Sequence, residues 1–62
     1  MKNKLREFRA RKKMTQDALA DKAKVSRQTI NAIENDKYDP SLPLAFSLAR
    51  VFNCKIEELF FE

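Results

Sequence analysis

The stretch Gln16–Asn35, QDALADKAKVSRQTINAIEN, decides the fold of this 62-residue chain. Two short amphipathic segments meet there at a tight corner. Leu19, Ala20 and Ala23 share one helical face of the first segment, Val25 sits at the corner, and Ile30 and Ile33 face back from the second. On the opposite side of the second segment stand Arg27, Gln28, Asn31 and Asn35, at i, i+1, i+4 and i+8. The spacing predicts a helix that buries its aliphatic side and displays a file of hydrogen-bonding side chains.

Working outward, Thr15 is expected to cap the first of these helices, its hydroxyl accepting a free backbone N–H, and Asp17 suits the positive end of the helix dipole. Ser26 caps the second in the same way, with Thr29 where a full capping box would want an acid or amide. An earlier helix should run from about Lys4 to Lys12 on a Leu5 and Phe8 stripe. Asp36–Pro40 reads as a turn, because the residue before a proline is pushed out of the helical region. Ser41 then caps a helix with Pro43 in its first turn, and Ala45, Leu48, Ala49 and Phe52 repeat at i, i+3, i+4 and i+7. A last short helix, about Ile56 to Phe60, carries Ile56, Leu59 and Phe60 inward. There is no repeat, linker or low-complexity tract, so residues 1–62 are expected to form a single all-α domain of five helices.

Size and composition exclude most chemistry. A chain this short buries only about 60% of the surface that its unfolded form exposes, which leaves no interior cleft for a substrate. It has no histidine, no tryptophan and no glycine, and Cys54 is its single thiol. No spacing fits a metal, no cofactor is implied and no nucleophile–base pair is visible, so an enzyme is the least favoured class. Cys54 reads as a small hydrophobe; redox sensing would require an exposed thiol of low pKa. No apolar run approaches a membrane span and no signal peptide precedes the domain, so a cytoplasmic location is the expectation, without membrane or small-molecule partners.

The charge is unevenly placed. Met1–Lys13 holds seven basic residues against Glu7 alone, a local balance of +6, whereas the whole chain is +4 and the remainder −2. Taken alone such a run is a solvated helix face. Beside an outward file of Arg, Gln and Asn it reads as a footprint for the phosphates of double-stranded DNA.

The residues resemble the Cro/repressor-type helix-turn-helix family. The matching pieces are Thr15-Gln16, Leu19-Ala20, Val25-Ser26-Arg27-Gln28-Thr29-Ile30, Glu34, Pro40-Ser41 and Ile56-Glu57-Glu58-Leu59-Phe60, spread over nearly the whole chain. The resemblance implies that the helix after the corner enters the major groove while the one before it crosses the backbone. Gln28 is then expected at a base edge, where an amide pairs with adenine N6 and N7. Arg27 suits guanine or a phosphate, Asn31 the next base step, and Ala32 a thymine methyl. Gln16, whose family counterpart touches the DNA backbone, is expected on a phosphate, as are Thr29, Asn35, Lys37 and Tyr38; Thr15 and Ser26 are caps first. The family pattern also implies an ion pair between Arg9 and Glu34. Many members carry glycine at the positions of Lys13, Lys24, Asp36 and Asn53, so left-handed backbone is expected there, with Lys24 the least comfortable of the four.

Leu59, Phe60 and Phe61 end the chain as an apolar tail that a 62-residue monomer would struggle to bury. They are expected at the interface of a two-fold homodimer, through the last helix and the tail, with room for a short terminal strand. The functional expectation is a sequence-specific transcriptional regulator acting as a repressor on a pseudo-palindromic operator. The alternative is an antitoxin or protein-interaction adaptor built on the same fold.

Overall fold

A computed structural model describes all 62 residues. The elements in chain order are β1 (Lys2–Asn3), α1 (Leu5–Arg11), α2 (Gln16–Ala23), α3 (Arg27–Glu34), α4 (Leu42–Val51), α5 (Ile56–Leu59) and β2 (Phe60–Phe61). Three starts are set by the expected hydroxyls. Thr15 accepts from the Ala18 N–H at 3.0 Å, Ser26 from Thr29 at 3.2 Å and Ser41 from Leu44 at 3.3 Å. At the start of α5 the Lys55 N–H donates to the Glu58 carboxylate at 2.9 Å.

Four helices also stop in one way. Lys13, Lys24, Asp36 and Asn53 have φ of 53°, 61°, 59° and 52°. Each is followed by a residue whose N–H reaches back five positions: Met14 to Arg9, Val25 to Ala20, Lys37 to Ala32 and Cys54 to Ala49, at 2.9–3.0 Å. This is the Schellman closure, which needs a left-handed residue and is ordinarily made with glycine. The left-handed positions expected from the sequence are all present, each occupied by a residue with a Cβ.

The core is aliphatic at its centre: Leu5, Leu19, Ile30, Ile33, Leu48 and Leu59 are fully buried. Phe8 and Phe52 close one side edge-to-face, with ring centroids 5.7 Å apart. No helix is long and apolar enough to cross a membrane.

The tail differs from its expected role. β2 pairs antiparallel with β1 of the same chain, Lys2 opposite Phe61 and Asn3 opposite Phe60. Leu59 and Phe60 lie inside the chain's own core, so their side chains are withdrawn from the surface. Phe61 alone is exposed, at 39%, with the Lys4 ammonium 5.9 Å from its ring. The physical reason is pairing: once β1 satisfies the backbone of Phe60, the Phe60 ring falls on the inner face and Phe61 on the outer.

One polar cluster fixes the helices relative to each other. The Glu34 side chain, in the last turn of α3, has no exposure, while that of Arg9 is 16% exposed. Arg9 Nε and Nη2 donate to the two carboxylate oxygens at 2.7 and 3.1 Å, and Arg9 Nη1 donates to the Met14 carbonyl at 2.9 Å. Gln16 Nε2 adds a bond to Glu34 Oε1 at 3.1 Å, and Arg6 Nε lies 3.4 Å from the same oxygen. Burial by itself would raise the Glu34 carboxyl. The hydrogen bonds from Arg9 and Gln16, with the charges of Arg9 and Arg6, outweigh it and hold the group below its ordinary value of 4.5. Asn3 makes a second tie: its amide donates to the Ile33 carbonyl at 2.8 Å and to Asp36 at 3.3 Å, while its Oδ1 accepts from the Leu5 N–H at 3.1 Å.

Two stability predictions follow from these contacts. Glu34→Ala leaves Arg9 unpaired in a largely buried place and costs about 3–5 kcal/mol, whereas Arg9→Met with Glu34→Leu restores most of the loss. Because the folded pKa is depressed, the contribution is complete above about pH 4.5 and drains as pH falls through the lower folded value. Urea unfolding between pH 7 and pH 3 measures this, and a Glu34→Leu/Arg9→Met chain should show a flatter acid limb. Separately, Lys24→Gly relieves left-handed crowding and raises stability by on the order of 0.5–1 kcal/mol after the extra freedom of the unfolded chain is subtracted. Thermal melting reads this as a rise of several degrees.

Candidate nucleic-acid interface

Two buried residues and a cap aim α3. Ile30 and Ile33 anchor one side in the core, and Ser26 ends the chain's approach, its Oγ also 3.0 Å from Thr29 Oγ1. The other side is solvent-facing: Arg27, Gln28 and Asn31 are exposed and Ala32 is half-buried between them and the core. The Arg27 guanidinium lies 3.5 Å from the Asp17 carboxylate at the start of α2, an exposed pair that leaves most of its donors free. Gln28 makes no side-chain bond inside the chain, so both its donor and its acceptor are open.

The side chains expected on phosphates divide into two sets. Lys37 and Tyr38 are exposed just past α3, beside the last turn of that helix. Gln16 and Asn35 are instead engaged within the chain. Gln16 donates to Glu34, so at the N-terminus of α2 it is the backbone that faces outward freely. Asn35 donates from Nδ2 to Asn31 Oδ1 at 3.1 Å and accepts from Arg6 Nη2 at 3.2 Å. Thr29 shares its hydroxyl with Ser26.

The basic run of α1 is likewise partly committed to structure. Arg9 and Arg6 converge on Glu34, Arg11 stacks on the Phe8 ring with its guanidinium carbon 4.8 Å from the centroid, and Lys4 covers Phe61. Lys2, Lys12 and Lys13 make no ion pair or ring contact, and Lys4, Arg6 and Arg11 stay exposed alongside their contacts. Only Arg9 is withdrawn from the surface by its contacts.

Sequence reasoning passed over Asn3 and Arg6. An asparagine just before an apolar helical stripe is a capping signal, and that much was readable. Its second bond, to the end of α3, joins residues 30 positions apart and has no local signature. Cys54 is half-buried, and burial followed by the Glu58 carboxylate pushes its thiol above the ordinary value, the reverse of what a redox sensor needs.

Comparison with known proteins agrees with this geometry. The helix-turn-helix family pattern matches residues 5–59. An uncharacterized HTH-type transcriptional regulator of Methanocaldococcus jannaschii is 60% identical over 60 residues, covering 97% of this chain and 91% of that protein. A second uncharacterized HTH-type transcriptional regulator, from Archaeoglobus fulgidus, is 55% identical over 97% of this chain and 86% of its own length. Among solved structures, the restriction-modification controller protein C.AhdI from Aeromonas hydrophila superposes with a TM-score of 0.85 at 30% identity, over 92% of this chain and 86% of that one. With α2, a left-handed corner at Lys24 and an outward-facing α3 in place, the chain belongs to the Cro/C1-type helix-turn-helix family.

Proposed function

We propose that this protein is a transcriptional regulator that binds double-stranded DNA in a sequence-specific manner, as a homodimer on a pseudo-palindromic site, and represses by occluding the promoter. The observation that carries the reading is α3 itself. Its inner face is locked by Ile30, Ile33 and Glu34, and its outer face offers Arg27, Gln28 and Asn31 to a groove. The HTH-type transcriptional regulators to which it is similar support the same reading. In this role Gln28 pairs with a base edge, Arg27 with guanine or a phosphate, Asn31 with the next step, and Ala32 meets a thymine methyl. Lys37 and Tyr38 grip phosphates beyond the helix, with the backbone N–H of Gln16 and the hydroxyl of Thr29 doing so on the near side.

The surface proposed for the second copy is the α4–α5 face. Leu42 and Phe46 on α4 are 64% and 47% exposed. Phe46 stands at the edge of an open hollow of about 350 Å³ lined by Ala49, Cys54 and Ile56. Arg50 and Lys55 rim that hollow together with Glu57. A projecting ring beside a hollow, with both charge signs at the rim, is self-complementary under a two-fold axis, as an isologous dimer requires. Two copies would set their α3 helices about 34–36 Å apart for adjacent half-sites.

Selection of bound sequences from random DNA tests the reading. The wild type should enrich an inverted repeat, Gln28→Ala should lose preference at one position in each half-site, and Lys37→Ala should weaken all sites alike. With about six phosphate contacts, affinity should fall on the order of 10³-fold between 50 and 200 mM salt. Light scattering at micromolar concentration should give a dimer for the wild type and a monomer for Phe46→Glu, with Phe61→Ser still dimeric. A salt-insensitive complex, or a Phe46→Glu chain that remains a dimer, contradicts the respective part.

A further inference from the structure

We infer that Arg6 and Asn35 are specificity-determining residues that set the hydrogen-bond polarity of Asn31, so that Asn31 presents its amide donor, and not its acceptor, to the DNA base it meets. The inference rests on the reading of α3 as the helix that enters the groove.

It follows from an order of donors that admits one arrangement. A guanidinium has only donors. Arg6 is held at the end of α3 by Glu34, 3.4 Å from its Nε, and its Nη2 reaches the side chain of Asn35 at 3.2 Å. The atom of Asn35 facing Arg6 must therefore be the oxygen, which turns the Asn35 NH₂ the other way. That NH₂ meets the side chain of Asn31 one helical turn back, at 3.1 Å. The atom of Asn31 facing Asn35 must then be its oxygen. The Asn31 NH₂ is left pointing away from residue 35, on the exposed face of α3 that carries Gln28. The polarity passes from a permanent donor in α1 through two amides that would otherwise be free to turn over.

The consequence is chemical. A free asparagine can meet adenine with both of its groups, N7 accepting and N6 donating. An asparagine limited to its donor is best served by guanine, which shows two acceptors at N7 and O6, or by thymine O4, and is poorly served by cytosine, which shows only the N4 donor. The substitution Asn35→Asp reverses the order. The introduced carboxylate still accepts from Arg6 but has no donor for Asn31, so the Asn31 amide turns over and its oxygen faces outward.

The test is selection from random DNA with four proteins at equal fractional binding, each first checked for folding by its thermal melt. Asn31→Ala identifies the base position that Asn31 reads, as the position whose preference vanishes. At that position the wild type should favour guanine or thymine over cytosine by on the order of fivefold, the worth of one hydrogen bond. Asn35→Asp should shift that preference to cytosine or adenine while leaving the position read by Gln28 unchanged. Arg6→Met, which frees Asn35 to turn, should flatten it. A uniform loss of affinity in Asn35→Asp is expected from its added negative charge near phosphate and does not alter the ratio that is read. The inference is overturned if the wild type selects cytosine there, if Asn35→Asp keeps the wild-type preference, or if Asn31→Ala changes no position. Failure of the wild type to enrich any sequence would instead overturn the reading of α3 as a DNA-recognition helix, and this inference with it.

Discussion

The fold turns on one buried carboxylate. Glu34 sits in the last turn of α3 with no solvent to stabilise its charge, and every group that compensates it comes from another element. Arg9 and Arg6 arrive from α1, Gln16 from the first residue of α2, and Arg9 also holds the Met14 carbonyl in the connection between them. Apolar packing is non-directional and would tolerate small rotations of α3 on its Ile30–Ile33 seam. A two-pronged guanidinium–carboxylate contact does not, because both bonds constrain angle as well as distance. The aim of the outward face is thus decided at a point on the inward face. Asn3 adds a second fixed point on the Ile33 carbonyl, so the C-terminal end of the helix is held from both sides.

A chain without glycine nevertheless makes four left-handed helix ends. At Asp36 and Asn53 the short polar side chain tolerates that conformation well. At Lys13 and Lys24 it does not, and the 6→1 bonds behind each must offset the crowding of Cβ against the backbone. For Lys24 the compensation includes burial of its neighbours. Ala23 ends α2 inside the core and Val25 packs on it from the corner, so relaxing the turn would withdraw both. Tertiary packing overrides local preference at the very corner that defines the motif.

Much of this was legible in the sequence because it is local. Thr15, Ser26 and Ser41 announce helix starts by chemistry that acts within three residues, and the family resemblance implies the four left-handed positions that end the helices. The tail was not legible for the opposite reason. A two-residue strand has no periodicity, and the partner of Phe60–Phe61 is the polar pair Lys2–Asn3 at the far end of the chain. Reading Leu59-Phe60-Phe61 without that partner overestimates what is left exposed. In the candidate site the exposed face of Gln28 was readable from helical spacing, whereas Lys37 and Tyr38, in the turn past α3, were expected only from the family resemblance. The internal engagement of Gln16 and Asn35 was not, since spacing says which way a side chain points and nothing about what meets it there.

The same distinction bears on the basic segment. Seven cations before residue 14 invite the view that α1 exists to attract phosphate. In the folded chain Arg6 and Arg9 pair with Glu34, and Lys4 and Arg11 lie over aromatic rings, so four of the seven also contact the protein. Arginine suits that work because its planar fork can bond in several directions at once, and Arg6 uses this to join Glu34 to Asn35. Lysine at either position would supply the charge without the geometry. The residues that look like an undifferentiated positive surface therefore do two jobs, long-range attraction and short-range alignment, and only the second depends on their being arginine.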